Sequence, residues 1–410
     1  MKDTIYELIR KEVIPAIGCT EPIAVALCVA RAKEKLGAEP TQIIVELSKN
    51  IYKNAMAVGI PNTGMTGLQI AIALGATIGK SEYMLEVLRD TNEAAVTYAK
   101  KYMEHTDIQI VVKMDAPDVL YIHTTVSTNN RHAQATIQGD HTHFVEQGEE
   151  QSPEDKKENA EPALTMRRVW DYAMNVDVNH MQFLLEGAKM NMAAAEKSFM
   201  GNYGHGLGRM LHKSNTADIF SKILAYTSGA CDARMSGAMI PVMSNSGSGN
   251  QGISCSVPVY VYALENNIDE EKTLRALTLS NLTVIYIKQS LGRLSALCGC
   301  VVAATGSAVG LTYLMGGQFQ EITYAIKNMI ANISGMICDG AKPGCALKVT
   351  SGVSTAVLSA HLAMQHSYAD ASEGIVEEDI DRTIHNLTRI GHDGMTQTDD
   401  VILDIMTHKC

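Results

Sequence analysis

Large aromatic side chains are scarce in this sequence: 5 Phe and 1 Trp serve 410 residues, against 22 Met and 32 Gly. That excludes a core built on big rings and leaves the interior to small and flexible side chains, which suits closely packed helices. Charge is also sparse, at 19% of residues, and is weighted toward acid, with a formal net charge of -11 and an isoelectric point near 5.6. Clustered Lys and Arg, the footprint of a nucleic-acid or anionic-membrane partner, are missing, so neither partner is expected and small solutes are the expected ligands. Residues 1–15 have neither the basic start nor the apolar stretch of a signal peptide, which points to a cytoplasmic location. One run, 294–320, carries no charge over more than a bilayer-spanning length. It holds Gly299, Gly306, Gly310, Gly316 and Gly317 with several Ser, Thr and Ala, so it is poorly hydrophobic and a buried helix is expected.

What is present is organisation on two periods. A chain of this length makes one large or two medium domains. Thr20-Glu21-Pro22 supplies a capping residue and a first-turn Pro, and Gly37 closes the segment, so a helix is predicted with Cys19 just outside its N-terminus. A strand at 43–47 follows, then a loop at 48–67 and an apolar helix to about Gly79. From Asp107 the pattern alternates with period two at 108–113, 120–126, 132–138 and 141–147, which predicts a small antiparallel sheet. Residues 148–162 (GEEQSPEDKKENAEP) read as an acidic linker or loop. Beyond Ala163 helices are predicted at 166–198, 216–228, 269–297, 301–315, 321–337, 346–364 and 377–387. The class is therefore α+β: a mostly helical large domain from 1–40 and 163–410, with a small α/β domain inserted at 41–147.

The nine cysteines are an odd number in a long chain without an export signal, which favours thiols, ligands or catalysts over a disulfide framework. Cys28, Cys231 and Cys255 stand alone among apolar or small residues and read as buried hydrophobes. Four others form two pairs, Cys298-Gly299-Cys300 and Cys338 with Cys345. The helix before Cys298 is predicted to end at Gly299, the helix before Cys338 at Gly340, and Cys345 to open the next behind Pro343-Gly344. Helix ends converging on one point present backbone N–H groups that favour thiolate and bond to cluster sulfides. A closed zinc site with four cysteines is the rival, but C-x-C and C-x6-C depart from the usual knuckle spacings.

The segments Gly18-Cys19-Thr20-Glu21-Pro22, Tyr52-Lys53-Asn54-Ala55-Met56 with Gly59-Ile60-Pro61, Ser246-Gly247-Ser248-Gly249-Asn250-Gln251-Gly252, Ala296-Leu297-Cys298-Gly299-Cys300 and Gly335 through Lys342 (GMICDGAK) resemble the signature blocks of the L-cysteine desulfidase family. That family is related to the α-domain of bacterial iron-sulfur L-serine dehydratases. The resemblance implies a [4Fe-4S] cluster held by three cysteines, here Cys298, Cys338 and Cys345 with Cys300 in reserve, and a fourth iron open to the leaving group. An open position makes a Lewis acid, whereas four protein ligands would make an electron carrier.

The implied reaction is β-elimination of L-cysteine to sulfide, pyruvate and ammonia, with Cys19 as the favoured base because a helix N-terminus lowers a thiol pKa. Lys342 and His205 are rival bases. The Gly- and Ser-rich stretch holding Ser246, Gly247, Ser248, Gly249 and Asn250 has the composition of an anion-binding concavity and is assigned to the substrate carboxylate. Thr20, Lys53, Asn54, Asn62 and Thr63 are further candidates for the substrate's carboxylate and amino groups. Cys410 carries a thiol and an α-carboxylate on one residue, so a tail reaching the cleft would mimic substrate at the open iron. No Lys sits in a context that reads as a pyridoxal-phosphate Schiff base. An L-serine dehydratase with the same cluster and a non-catalytic iron-sulfur protein are the alternatives, and a homodimer is the assembly expected.

Overall fold

The protein is described by a computed structural model covering residues 3–145, 161–214 and 218–408. Cys410, and the acidic segment read at 148–162 as far as residue 160, lie outside the described residues.

The helical body is built around helix Gly299–Leu314, which is buried nearly all round because its residues are small or apolar on every face. Helices Gly249–Glu265, Glu270–Leu291, Phe319–Ile333 and Cys345–Met364 surround it. This is the uncharged run foreseen as a buried helix, and among the described residues no helix is long and apolar enough to cross a membrane. Outside this ring, Gln182–Met200 packs on Ile219–Met235 and Met166–Asn175 on Glu270–Leu291. The single helix predicted over 166–198 is broken near Asp177, whose side chain accepts from Asn179 N (3.0 Å) and starts a new turn.

The described residues form six strands: β1 (Pro15–Ile17), β2 (Gln42–Ser48), β3 (Asp107–Lys113), β4 (Tyr121–Ser127), β5 (His132–Gln138) and β6 (Pro241–Met243). The sheet runs β3-β2-β4-β5. β4 is antiparallel to both neighbours, as its alternation predicts, but β2 lies parallel to β3, so the sheet is mixed. The parallel pair is reached by a long crossover through helices Lys49–Ala55, Leu68–Thr77 and Glu93–His105. Of the strand predicted at 141–147, residues 141–145 form a turn with a bridge from Ile137 to Phe144, and 146–147 lie outside the described residues. Helix Thr20–Leu36 ends as read, at Gly37 in the left-handed region (φ 67°). It buries its apolar residues with the sheet, in a core separate from that of the helical body.

The two bodies meet through β1 and β6, which form an antiparallel ribbon with Ile17 opposite Pro241 and Pro15 opposite Met243. This antiparallel ribbon puts Gly18 and Cys19 at the end where β6 begins, and the turn 244–248 at the opposite end, beside Glu12 and Ile14. Ser244 N donates to Ile14 O (2.9 Å) and Ser246 N to Glu12 O (3.0 Å), which locks the register.

Candidate active site

Helix Glu270–Leu291 stops at Leu291, because Gly292 turns out of the helix with φ 84°. The helix predicted through 297 therefore ends six residues early, and Cys298 caps the start of the next helix rather than closing the previous one. Helix Phe319–Ile333 likewise ends before Cys338. The two irregular segments pair: Cys298 N donates to Met336 O (2.9 Å), Cys338 N to Ala296 O (2.7 Å), with Leu297 bridged to Ile337. Cys345 is the first residue of its own helix. Cys298 and Cys345 thus sit at helix N-termini, a position that favours negative sulfur at Cys298, whereas the N–H groups of Cys345, Ala346 and Leu347 are bonded to the carbonyls of Lys342, Pro343 and Gly344 and burial raises the Cys345 thiol.

A cavity of about 110 Å³ lies in front of these segments, and Cys298, Cys300, Cys338 and Cys345 all line it. Cys300 faces inward, its thiol donating to Lys348 O (3.0 Å) and lying against Met336 Sδ (3.4 Å). The Cys300 thiol also holds Cys298 down to about 7 against the opposing effect of burial. Cys298, Cys338 and Cys345 are therefore the three sulfurs best placed to hold a group in the cavity. Among the described residues no three His, Cys, Asp or Glu side chains converge on a single-ion position.

The rest of the lining includes Cys19, Glu21, Asn54, Arg234, Ser248, Asn250, Gln251 and Lys288. Arg234 is 3% exposed, and its hydrogen bonds go to neutral acceptors, Gly18 O (3.1 Å) and Asn250 Oδ1 (3.0 Å). Lys288 donates to Arg293 O (2.8 Å), and burial followed by the Arg293 charge pulls its ammonium down to about 8. Among the described residues neither cation has a carboxylate in ion-pair contact. Two buried acceptors of the lining, Asn54 Oδ1 and Gln251 Oε1, have no partner among the described residues. Their orientation is set by the other end of each amide, since Asn54 Nδ2 donates to Glu21 Oε1 (3.1 Å) and Gln251 Nε2 to Asn245 O (3.4 Å).

Cys19 departs from the sequence expectation in its ionisation. It caps helix Thr20–Leu36 without a side-chain capping bond, and Thr20 Oγ1, read as a cap, donates to Glu21 Oε2 (3.0 Å). The Cys19 thiol donates to the same oxygen at 3.1 Å, and burial, then the Glu21 charge, raise its pKa well above the usual thiol range.

Of the residues foreseen from sequence, Cys19, Asn54, Ser248, Asn250 and the four paired cysteines meet at the cavity. The others lie outside its lining. Lys53 is buried, ion-paired with Asp399 and donating to Cys338 O (3.3 Å). Asn62 donates to Thr91 O (3.0 Å) and Thr63 to Ile60 O (2.8 Å), holding the turn between them. Ser246 donates to Asn245 Oδ1 (2.9 Å), and Gly247 packs on His141. Gly249 is needed for space, since a Cβ there would lie 2.3 Å from Arg234 Nε. Lys342 pairs with Asp339 (2.5 Å) and so braces the Cys338–Cys345 loop, while His205 is exposed on a turn outside the cavity wall. Arg234, Lys288 and Gln251 were not singled out from sequence. For the two cations the available signal was a charge within a run of small or apolar residues, as in ACDARM and VIYIKQ.

The family profile described as serine dehydratase alpha chain matches residues 82–404. A UPF0597 protein of Bacteroides fragilis is 59% identical, covering 99% of this chain and 98% of the relative. Relatives of the same description in Bacteroides thetaiotaomicron and Shewanella pealeana are 57% and 42% identical, the first covering 99% of this chain and 97% of the relative, the second 98% of each. On a match over most of its length, the chain belongs to the serine dehydratase alpha chain family.

Proposed function

We propose that the protein is a cluster-dependent carbon-sulfur lyase, an L-cysteine desulfidase that eliminates sulfide from L-cysteine and leaves pyruvate and ammonia. The observation that carries this reading is the chemistry of the cavity lining, which combines cysteines with unpaired cations and acceptors. Cations without carboxylate partners, Arg234 and Lys288, suit an α-carboxylate. Orphan acceptors on Asn54 and Gln251 suit an α-ammonium, because a buried acceptor left unpaired costs about 1–3 kcal/mol that a substrate N–H recovers. The cysteines suit a soft side chain.

The donor set fits the [4Fe-4S] group that the family resemblance implies, with Cys298, Cys338 and Cys345 as its ligands. When bound with one iron free of protein, such a group supplies a Lewis acid for the departing sulfur. The chain's own residues do the rest. Arg234, fixed by Gly18 O and Asn250 Oδ1, orients the carboxylate, and the Asn54 and Gln251 oxygens hold the ammonium. The Cα–H bond is thereby directed at Cys19, which begins proton removal. The resulting aminoacrylate hydrolyses in water.

L-Serine dehydration is the second reading, favoured by the family to which the chain belongs. Turnover of both amino acids by anaerobically purified protein separates the two. A higher kcat/KM for L-cysteine, with sulfide and pyruvate in equal amounts, supports the desulfidase, since thiolate suits a soft metal better than hydroxyl. A higher value for L-serine assigns the dehydratase.

A further inference from the structure

Cys19 and Glu21 form a buried pair whose charge lies on the unexpected partner. The Glu21 carboxylate accepts from three sides: Cys19 Sγ (3.1 Å) and Thr20 Oγ1 (3.0 Å) at Oε2, and Asn54 Nδ2 (3.1 Å) at Oε1. Cys19 is 2% exposed and Glu21 8%. Three donors on a carboxylate favour its ionised form. Burial works against that charge, but His141 when protonated, the Cys19 thiol and Arg234 outweigh it and hold Glu21 below its usual range. The thiol is pushed the other way, so the resting negative charge is on oxygen and the sulfur keeps its proton.

We infer that Cys19 acts as a neutral relay and Glu21, working through it, is the proton acceptor of the elimination. The Cα–H bond breaks as a new S–H bond forms on Cys19, and the original S–H proton passes to Glu21 Oε2. The C–H electron pair becomes the Cα=Cβ bond, and the Cβ–S pair leaves with the sulfide sulfur. Cys19 is uncharged before and after, and Glu21 ends as a carboxylic acid that loses its proton to solvent. Besides Thr20 and Asn54, the polar and charged groups that act on the pair are His141, whose two buried ring nitrogens have no partner, together with Arg234 and Lys288. The inference rests on the elimination reading, but the pair can be tested apart from it.

The experiment combines site-resolved alkylation of Cys19 by iodoacetamide with the pH profile of kcat/KM, on wild type and Glu21→Gln. In wild type, Cys19 should label slowly at about pH 8, and kcat/KM should not climb with thiol titration near the ordinary value of about 8.5. Glu21→Gln should keep its iron, lose about 10²-fold or more in kcat, and yet label faster at Cys19. A merely structural Glu21 would not raise labelling with iron retained. Cys19→Ser, whose hydroxyl can still pass a proton, should be more active than Cys19→Ala. Rapid wild-type labelling with kcat/KM following thiol titration overturns the relay, as does a fully active Glu21→Gln enzyme. If Glu21→Gln does not fold, the wild-type labelling and pH profile decide alone. If no amino acid is eliminated, the elimination reading fails, while slow labelling in wild type and faster labelling in Glu21→Gln still report the pair.

Discussion

Cys298 and Cys338 are held side by side by a two-residue antiparallel bridge, with Cys298 N on Met336 O at 2.9 Å and Cys338 N on Ala296 O at 2.7 Å. The bridge brings together two segments forty residues apart in sequence, and both thiols line one cavity.

Single changes Cys298→Ala, Cys338→Ala and Cys345→Ala should each abolish retention of iron. Cys300→Ala should retain it, because that thiol is already committed to Lys348 O (3.0 Å). Iron and acid-labile sulfide per chain are the readout. Loss in Cys300→Ala with retention in Cys298→Ala would move the ligand by two residues.

Arg234→Met should weaken substrate affinity by about 2–5 kcal/mol, the scale for removing one partner of a buried charge pair. Gly249→Ala should have a related effect at smaller cost, since its Cβ would displace the guanidinium from 2.3 Å. Steady-state KM and kcat on both variants check this; an unaltered Gly249→Ala enzyme would argue that Arg234 is not held by that loop.

Burial, then the Arg293 charge, pull the Lys288 ammonium down to about 8. Its ammonium is present below that pH and lost above it, so kcat/KM should fall as pH rises through about 8 if the charge binds the α-carboxylate. The wild-type fall should be absent from the pH profile of Lys288→Met, whose values should be low throughout. A fall that persists in Lys288→Met assigns it to another group.

Asp399→Ala should leave Lys53 buried without its charge partner, at a cost of about 3–5 kcal/mol. Lys53 also donates to Cys338 O, so the same change should loosen the cysteine loop and hasten loss of iron. Denaturant midpoints and iron-release rates measure the two effects.

Local signals were read well wherever they were self-contained. Gly37 closed its helix, the period-two runs gave β3, β4 and β5, and the uncharged stretch gave the buried helix Gly299–Leu314. Helix ends near the cysteines were misplaced because Gly292, an ordinary residue in the sequence, takes a left-handed φ set by the tertiary path. The parallel register of β2 on β3 depends on a crossover that no local pattern encodes. At the site, residue chemistry found the thiols but not the cations. Arg234 and Lys288 are each one charge among several on their helices, and nothing local marks them out until the fold brings them to the cavity. Cys19 was expected to ionise from its helix position, and the neighbouring Glu21 reverses that.

The most direct test is metal and sulfide analysis of protein purified and kept without oxygen. The account predicts a brown protein with about four iron and four acid-labile sulfide per chain. A colourless protein holding zinc and no iron would contradict it.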